Sequence, residues 1–269
     1  MAKIKVMSAG AVEGPVSELA PEFTRASGHE VELHFNTVGA HRERFVQGEK
    51  TDVIILSFPA IEALDKEGRF VAGSRTDLGR ASCGVAVRDG MMMPNISTVE
   101  GFKRMLKFAI SIAANDPAHG GSSGIYLADL LKRMDLTDEV SPKLKLYKTG
   151  RDCALALVRG EAEIGITFTS EFIAVPGTRV VGTFPKEIEY VNGYAGAIAK
   201  DAAAEPARAF LAFLSLIPFV TRQPRLRRRR WWWRIRCGQF KPGRNQGICS
   251  LVRARCQTRL EHPNPCEAV

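Results

Sequence analysis

Three stretches pair hydroxyl side chains with glycine where an extended segment gives way to a helix: Ser8-Ala9-Gly10, Thr37-Val38-Gly39 and His119-Gly120-Gly121-Ser122-Ser123-Gly124. The chemistry such turns offer is anion binding. The first amides of a helix have no partner within it, and the helix dipole adds partial positive charge, so an anion is held without a full countercharge. Glycine lets a ligand approach the backbone closely, and serine or threonine adds a hydroxyl donor. The competing reading of each turn is simple helix capping with no ligand, and it competes most closely at Thr37. The third stretch, with Ser122, Ser123 and Gly124, is the richest in donors. It lacks the lysine of a nucleotide-binding loop, so nucleotide hydrolysis is not expected.

Further candidates are isolated. Arg151 follows Thr149-Gly150 and either reaches a cleft or stays solvated. Phe168-Thr169-Ser170 ends an apolar run, which points Thr169 toward the same site. Tyr190 and Asn192 either close on a ligand or pack at a hinge. His29, His34 and His41 have no metal-ligand spacing with a nearby cysteine or acid. Met91-Met92-Met93 reads as a surface loop before Pro94 rather than a soft-metal site. No Ser/His/Asp set and no paired carboxylates stand at strand ends. The expectation is a binding protein, not an enzyme, with no metal and no cofactor.

The elements that must position these turns alternate. Strands are expected at Lys3–Met7, His29–Phe35 and 52–56, with helices from Pro15 to Ala26, after Thr37 to Gln47, and over Ile61–Glu67. Repetition of strand, turn and helix predicts a parallel sheet with helices on its faces, and ligands bind such sheets at the carboxyl ends of the strands. The pattern changes near Arg80. Beyond it, Cys83–Arg88 and Ala109–Ala114 read as extended, Thr98–Lys107 as helical, and a helix runs from the Gly-Ser stretch to Met134. Strands follow at 144–148 and Ile164–Phe168 around a helix at 152–159, then an extended 191–199 and a helix over 206–214. The fold expected is α/β with two lobes: residues 1–79 joined by 194–215, and residues 80–193, with hinge crossings near Arg80 and Tyr194.

Composition isolates the C-terminal segment. The chain of 269 residues carries a net charge of +9, yet residues 216–269 hold 12 Arg and 1 Lys against 2 Glu. The rest is close to neutral, so its charge does not call for a nucleic-acid partner. The tail also holds all three Trp and four of the six Cys. It suits single-stranded nucleic acid or a membrane surface by composition. The reading adopted is a shifted coding frame with an irregular, unselected tail. Cys83 and Cys153 sit in apolar stretches and are expected as buried thiols. No apolar run approaches the roughly 20 residues of a membrane span. The start, Lys3-Ile4-Lys5-Val6-Met7, is too short and too charged for a signal sequence, so a cytoplasmic protein is expected as encoded, and a periplasmic one if a leader precedes it.

Four segments together resemble a known family: the opening strand with Ser8-Ala9-Gly10; Thr37-Val38-Gly39 with the run to Gly48 and Thr51-Asp52-Val53-Ile54-Ile55; Asp116-Pro117 to Gly124; and Arg159-Gly160-Glu161-Ala162-Glu163-Ile164-Gly165-Ile166. Over residues 3–215 the chain is similar to the molybdate-binding-like branch of the type 2 periplasmic binding proteins. The resemblance implies a Venus-flytrap fold (periplasmic-binding-protein type 2) and one small anion between the lobes, either a tetrahedral oxyanion such as molybdate or a small carboxylate. It implies contacts from Ser8, Ala9, Gly10, Thr37, Val38, Ser122, Ser123, Gly124, Thr169 and Tyr190, a monomer, and an ABC permease as partner. Thr37-Val38 stands where true molybdate binders carry a Ser-Ser pair, and the Arg/Trp tail follows Leu214 where the family has a final helix. A cytoplasmic sensor domain and an enzyme acting on a small carbonyl or carboxylate ligand are the alternatives.

Overall fold

The computed structural model describes residues 1–215 and the pair Phe219–Val220; the expectation of an irregular tail otherwise falls outside the described residues. The first elements are β1 (Lys3–Ala9), α1 (Glu13–Ser27), β2 (Glu30–Asn36), α2 (Val38–Val46), β3 (Val53–Ser57), α3 (Phe58–Lys66) and β4 (Thr76–Arg88). Next come α4 (Val99–Phe108), β5 (Ile112–Asn115), α5 (Ser122–Arg133), α6 (Thr137–Val140), β6 (Leu144–Tyr147), α7 (Gly150–Val158), β7 (Ile164–Phe168), α8 (Thr169–Ile173) and β8 (Thr178–Thr183). The chain returns through β9 (Val191–Ile198) to α9 (Ala204–Ser215) and β10 (Phe219–Val220).

Strand order is β2-β1-β3-β9-β4-β7-β5-β6, with β8 and β10 also paired to β4. The 13-residue β4 serves both halves of this array. Its Thr76–Ser82 stretch pairs antiparallel with β9, and its Cys83–Arg88 stretch pairs antiparallel with β7 and β8. On either side of it the pairs β1/β2, β1/β3, β5/β6 and β5/β7 are parallel. Every residue of β3 and of β7 is buried. Helices cover both sheet faces, which is why these strands read as continuous apolar runs without alternation.

In the first lobe, α1 and α9 cover one face, where Phe23 meets Phe210 at 5.1 Å between ring centroids. Ile61 and Leu64 of α3 cover the other, against Ile54 and Leu56. In the second lobe, Phe102 and Leu106 of α4 and Leu127 and Leu131 of α5 lie on one side. Cys153 and Leu157 of α7 and Phe172 of α8 lie on the other. Cys83 and Cys153 are free and buried, as their apolar context suggested.

Several element bounds differ from the sequence reading. The strand of β4 begins at Thr76, because Thr76–Ser82 is held by β9 despite its mixed polarity. The strand expected from Ala109 starts only at Ile112; Ala109 caps α4 instead, its N–H bonded to Met105. Strand β8 was not foreseen. Its residues Thr178–Thr183 have no clean alternation and are extended because they complete the edge of β4.

Candidate functional site

A cleft opens where the carboxyl ends of β1, β2, β5 and β7 face one another. From the first lobe come Ala9 at the end of β1, Gly10 and Ala11 just after it, and Asn36, Thr37 and Val38 at the β2–α2 turn. From the second come Asn115 of β5, Gly121, Ser122 and Ser123 at the start of α5, and Thr149 and Gly150 at the start of α7. Phe168, Glu171 and Tyr194 complete the lining. Parallel register sets Ala9 level with Asn36, so both reach the cleft at the same depth.

Three helix N-termini therefore converge. At α2 the Thr37 hydroxyl accepts the Ala40 N–H at 3.1 Å. At α7 the Thr149 hydroxyl accepts from Asp152 N–H at 3.2 Å, and the Asp152 carboxylate accepts from the Thr149 N–H at 3.2 Å. That reciprocal arrangement is a capping box. At α5 Gly121 is the cap and supplies no side-chain bond, leaving the first turn open to a ligand. Among the described residues no Lys, Arg or His lines the cleft; helix dipoles and hydroxyls are what it offers an anion there.

The two lobes touch around this cleft. The Thr37 hydroxyl donates to the His119 carbonyl at 2.5 Å, and the Gly39 N–H donates to the Gly120 carbonyl at 3.2 Å. On the other side Ser170 donates to the Ala11 carbonyl at 2.6 Å, and Arg151 pairs with Glu13 at 3.1 Å. Arg151 is thus spent on an interlobe ion pair and does not line the cleft.

Of the ten sequence candidates, Ala9, Gly10, Thr37, Val38, Ser122 and Ser123 come together in the lining. Four do not. Ser8 still belongs to β1 and is fully buried, with its hydroxyl near the Ala9 carbonyl at 3.4 Å. Gly124 lies under α5, where a Cβ would come within 2.1 Å of the Asn115 carbonyl oxygen; it lets the helix sit on β5. Thr169 packs on β4, its methyl 2.5 Å from where a Cβ on Gly84 would stand. Tyr190 stacks on Tyr126 with centroids 4.3 Å apart, which is the hinge-packing alternative. Thr169 and Tyr190 face away because the strand ends one residue earlier at Phe168, and because aromatic stacking holds the second ring. His41 is buried and structural: burial, aided by Arg44, pushes it down to about 4, so it stays neutral and bonds through Nε2 to the His34 carbonyl.

Glu171 was missed. It is 8% exposed at the cleft floor, one residue past the stretch singled out in the sequence. Burial pushes its carboxyl up to about 7, against the Thr167 hydroxyl and the Phe168 and Gly150 amides that favour the anion; Glu13 adds to the rise. The Phe168 N–H lies 3.3 Å from Oε2, which also accepts the Thr167 hydroxyl. Thr167 in turn touches Asn115 at 2.7 Å and Ser123 at 3.0 Å, and Ser123 lies 2.9 Å from the Asn115 Oδ1. An acid in the first turn after a largely apolar strand was the available signal. The sequence reading found no acid–base pair at the cleft; the structure places one carboxyl, Glu171, in its lining.

A two-lobed α/β fold with its cleft at strand ends, lined by helix N-termini, is that of a substrate-binding protein. The chain belongs to the bacterial extracellular solute-binding protein family, which it matches over residues 4–216. It is 32% identical over 219 residues to an aconitate isomerase of a Pseudomonas species, spanning 79% of this chain and 82% of that one. It is 30% identical over 210 residues to the molybdate-binding protein ModA of Escherichia coli K12, spanning 74% and 80%. The fold matches the periplasmic molybdate-binding protein of Azotobacter vinelandii with a TM-score of 0.64 at 20% identity, covering 79% of this chain and 94% of that one. The resemblance to the molybdate-binding branch therefore holds in sequence and in fold. Among the described residues no helix is long and apolar enough to cross a membrane, and no cluster of His, Cys, Asp and Glu could hold a metal ion.

Proposed function

We propose that the cleft binds a small polycarboxylate, between a lobe of residues 1–79 with 194–215 and a lobe of residues 80–193. The observation that carries this reading is the mixed lining. The N-termini of α2, α5 and α7 suit carboxylate groups, while Ala9, Ala11, Val38 and Phe168 offer apolar wall that a bare tetrahedral oxyanion, acceptor on every side, has no use for. A ligand with a carbon skeleton and carboxylates uses both. The relative named for aconitate supports an unsaturated tricarboxylate of that kind; the relatives named for molybdate support the anion site more broadly. In this reading the family's extracellular setting makes an ABC permease the partner, the protein works as a monomer outside the cytoplasm, and the closed form delivers the ligand.

A second reading is favoured by Glu171 and by the isomerase name of one relative: the cleft also converts the carboxylate it holds. Both readings are tested first by binding. In a thermal-shift and calorimetry panel, cis-aconitate, trans-aconitate or citrate at 100 times its dissociation constant stabilises the protein by about 2.7 kcal/mol. A response to molybdate or sulfate with none to the carboxylates overturns the polycarboxylate reading.

A further inference from the structure

We propose that Glu171 is a catalytic residue that carries one proton between two carbons of an unsaturated polycarboxylate bound in the cleft, shifting its double bond. The inference rests on the polycarboxylate reading and assigns the group that would act.

The geometry isolates Glu171 as the proton carrier. Among the described residues two titratable side chains line the cleft, Glu171 and Tyr194. Tyr194 is fully buried and burial holds its phenol well above the usual range, so it keeps its proton. The Glu171 carboxyl is held by the Thr167 hydroxyl and by the Phe168 and Gly150 amides. Oε2 takes the Thr167 hydroxyl and the Phe168 amide. Oε1 points to the Gly10 side, where a Cβ on Gly10 would lie 3.1 Å away. On the other flank a Cβ on Gly150 would stand 1.9 Å from Oε2, inside contact distance. Two glycines thus leave room for the carboxyl, and its Oε1 faces the Gly10 turn that lines the cleft. A group with a titration point near 7 can be base and acid in one cycle.

The chemistry balances within one residue. The Glu171 carboxylate removes a proton from a methylene carbon that lies between a carboxylate and the double bond. The electron pair left behind delocalises over the three allylic carbons and the adjoining carboxylate. The same proton then returns from Glu171 to the far carbon, the double bond has moved, and Glu171 is a carboxylate again. Nothing is oxidised or reduced and no group leaves. The extra negative charge on the delocalised intermediate falls on carboxylate oxygens, which is where the converging helix N-termini stabilise it. The Gly39–Gly120 and Thr37–His119 contacts join the two lobes beside the cleft.

The test uses the full chain with cis-aconitate in D2O, followed by proton NMR, with binding measured in parallel by thermal shift. The expected result is formation of the trans isomer with part of the transferred hydrogen retained as protium, because a single carboxyl carries it. Glu171→Gln is expected to lower the rate roughly 100-fold or more while the dissociation constant changes only a few-fold, and Glu171→Asp to keep part of the rate. Circular dichroism verifies that each variant is folded. Binding of cis-aconitate with neither isomerisation nor methylene exchange overturns this inference and leaves the binding reading standing. Equal rates in wild type and Glu171→Gln overturn the role of Glu171 alone. Failure of every carboxylate to bind removes both.

Discussion

Gly39 and Gly120 meet between the lobes with no room for a side chain on either: a Cβ on Gly39 would lie 2.7 Å from the Gly120 Cα, and the reverse distance is the same. The contact joins the start of α2 to the loop before α5, next to cleft residues on both sides. Gly120 also has φ +68°, where any other residue is strained.

Gly39→Ala is the cleaner probe of closure, since Gly39 needs no left-handed backbone. The added methyl forces the two loops apart and weakens one interlobe hydrogen bond, a loss of about 1–2 kcal/mol in the closed form. The expected outcome is roughly tenfold weaker ligand binding by calorimetry with an unchanged melting temperature of the free protein. Unchanged affinity means that the clasp does not hold the bound state.

Ser122 and Ser123 adjoin in sequence but differ in surroundings. Ser123 is 4% exposed and bonded to Asn115 and Thr167, whereas Ser122 is more open to the cleft. The family resemblance places both among the ligand contacts. For Ser123 the buried network adds a structural role: Ser123→Ala should lower stability by about 1–3 kcal/mol, because Asn115 and Thr167 lose a buried partner. Ser122→Ala should weaken ligand binding and leave denaturant midpoints alone. Paired urea melts and calorimetry on the two variants decide between these roles.

The pH dependence of stability has a sign set by Glu171. Its folded value of about 7 lies above the 4.5 of the unfolded chain. A group raised in this way contributes stability below about pH 4.5, and that contribution is lost as pH rises through 7. Glu171→Gln should therefore melt above wild type at pH 8, by up to roughly 3 kcal/mol, with the difference vanishing near pH 4. Melting curves from pH 4 to 8 give the result; a difference independent of pH contradicts a buried, shifted carboxyl.

Truncation after Ser215 separates the tail from the cleft. Phe210 and Leu214 are already buried against α1 and the sheet, and Phe213 lies 5.6 Å from Phe23, so α9 needs no further cover to pack. The truncated chain should bind ligand as the full chain does. Loss of the Phe219–Val220 pairing with Gly79–Arg80 should cost at most a few degrees of melting temperature. It should also abolish the salt-sensitive binding of nucleic acid that the arginine run invites. Lost affinity with the fold intact would mean that the tail belongs to the working protein.

The sequence by itself determined the repeating order of strands and helices, since periodicity and turn residues are local. It also determined two of the three helix N-termini at the cleft, because hydroxyls and glycines before a helix carry their meaning wherever the chain goes. Arg80 and Tyr194 marked changes of pattern, and in the fold β4 and β9 pair there, Arg80 opposite Gly193 and Gly79 opposite Tyr194. Only the tertiary structure decided which side chains face inward. A slip of one residue moves a side chain from one face of a strand to the other, so Ser8 went to the core while Ala9 lined the cleft. Glu171 looked like an ordinary acid opening a short helix. It became the floor of the site because Gly10, from 161 residues earlier, and Gly150 leave it room, and because burial between the lobes raises the cost of its charge. Local pattern carries no information about that enclosure, which depends on contacts distant in sequence.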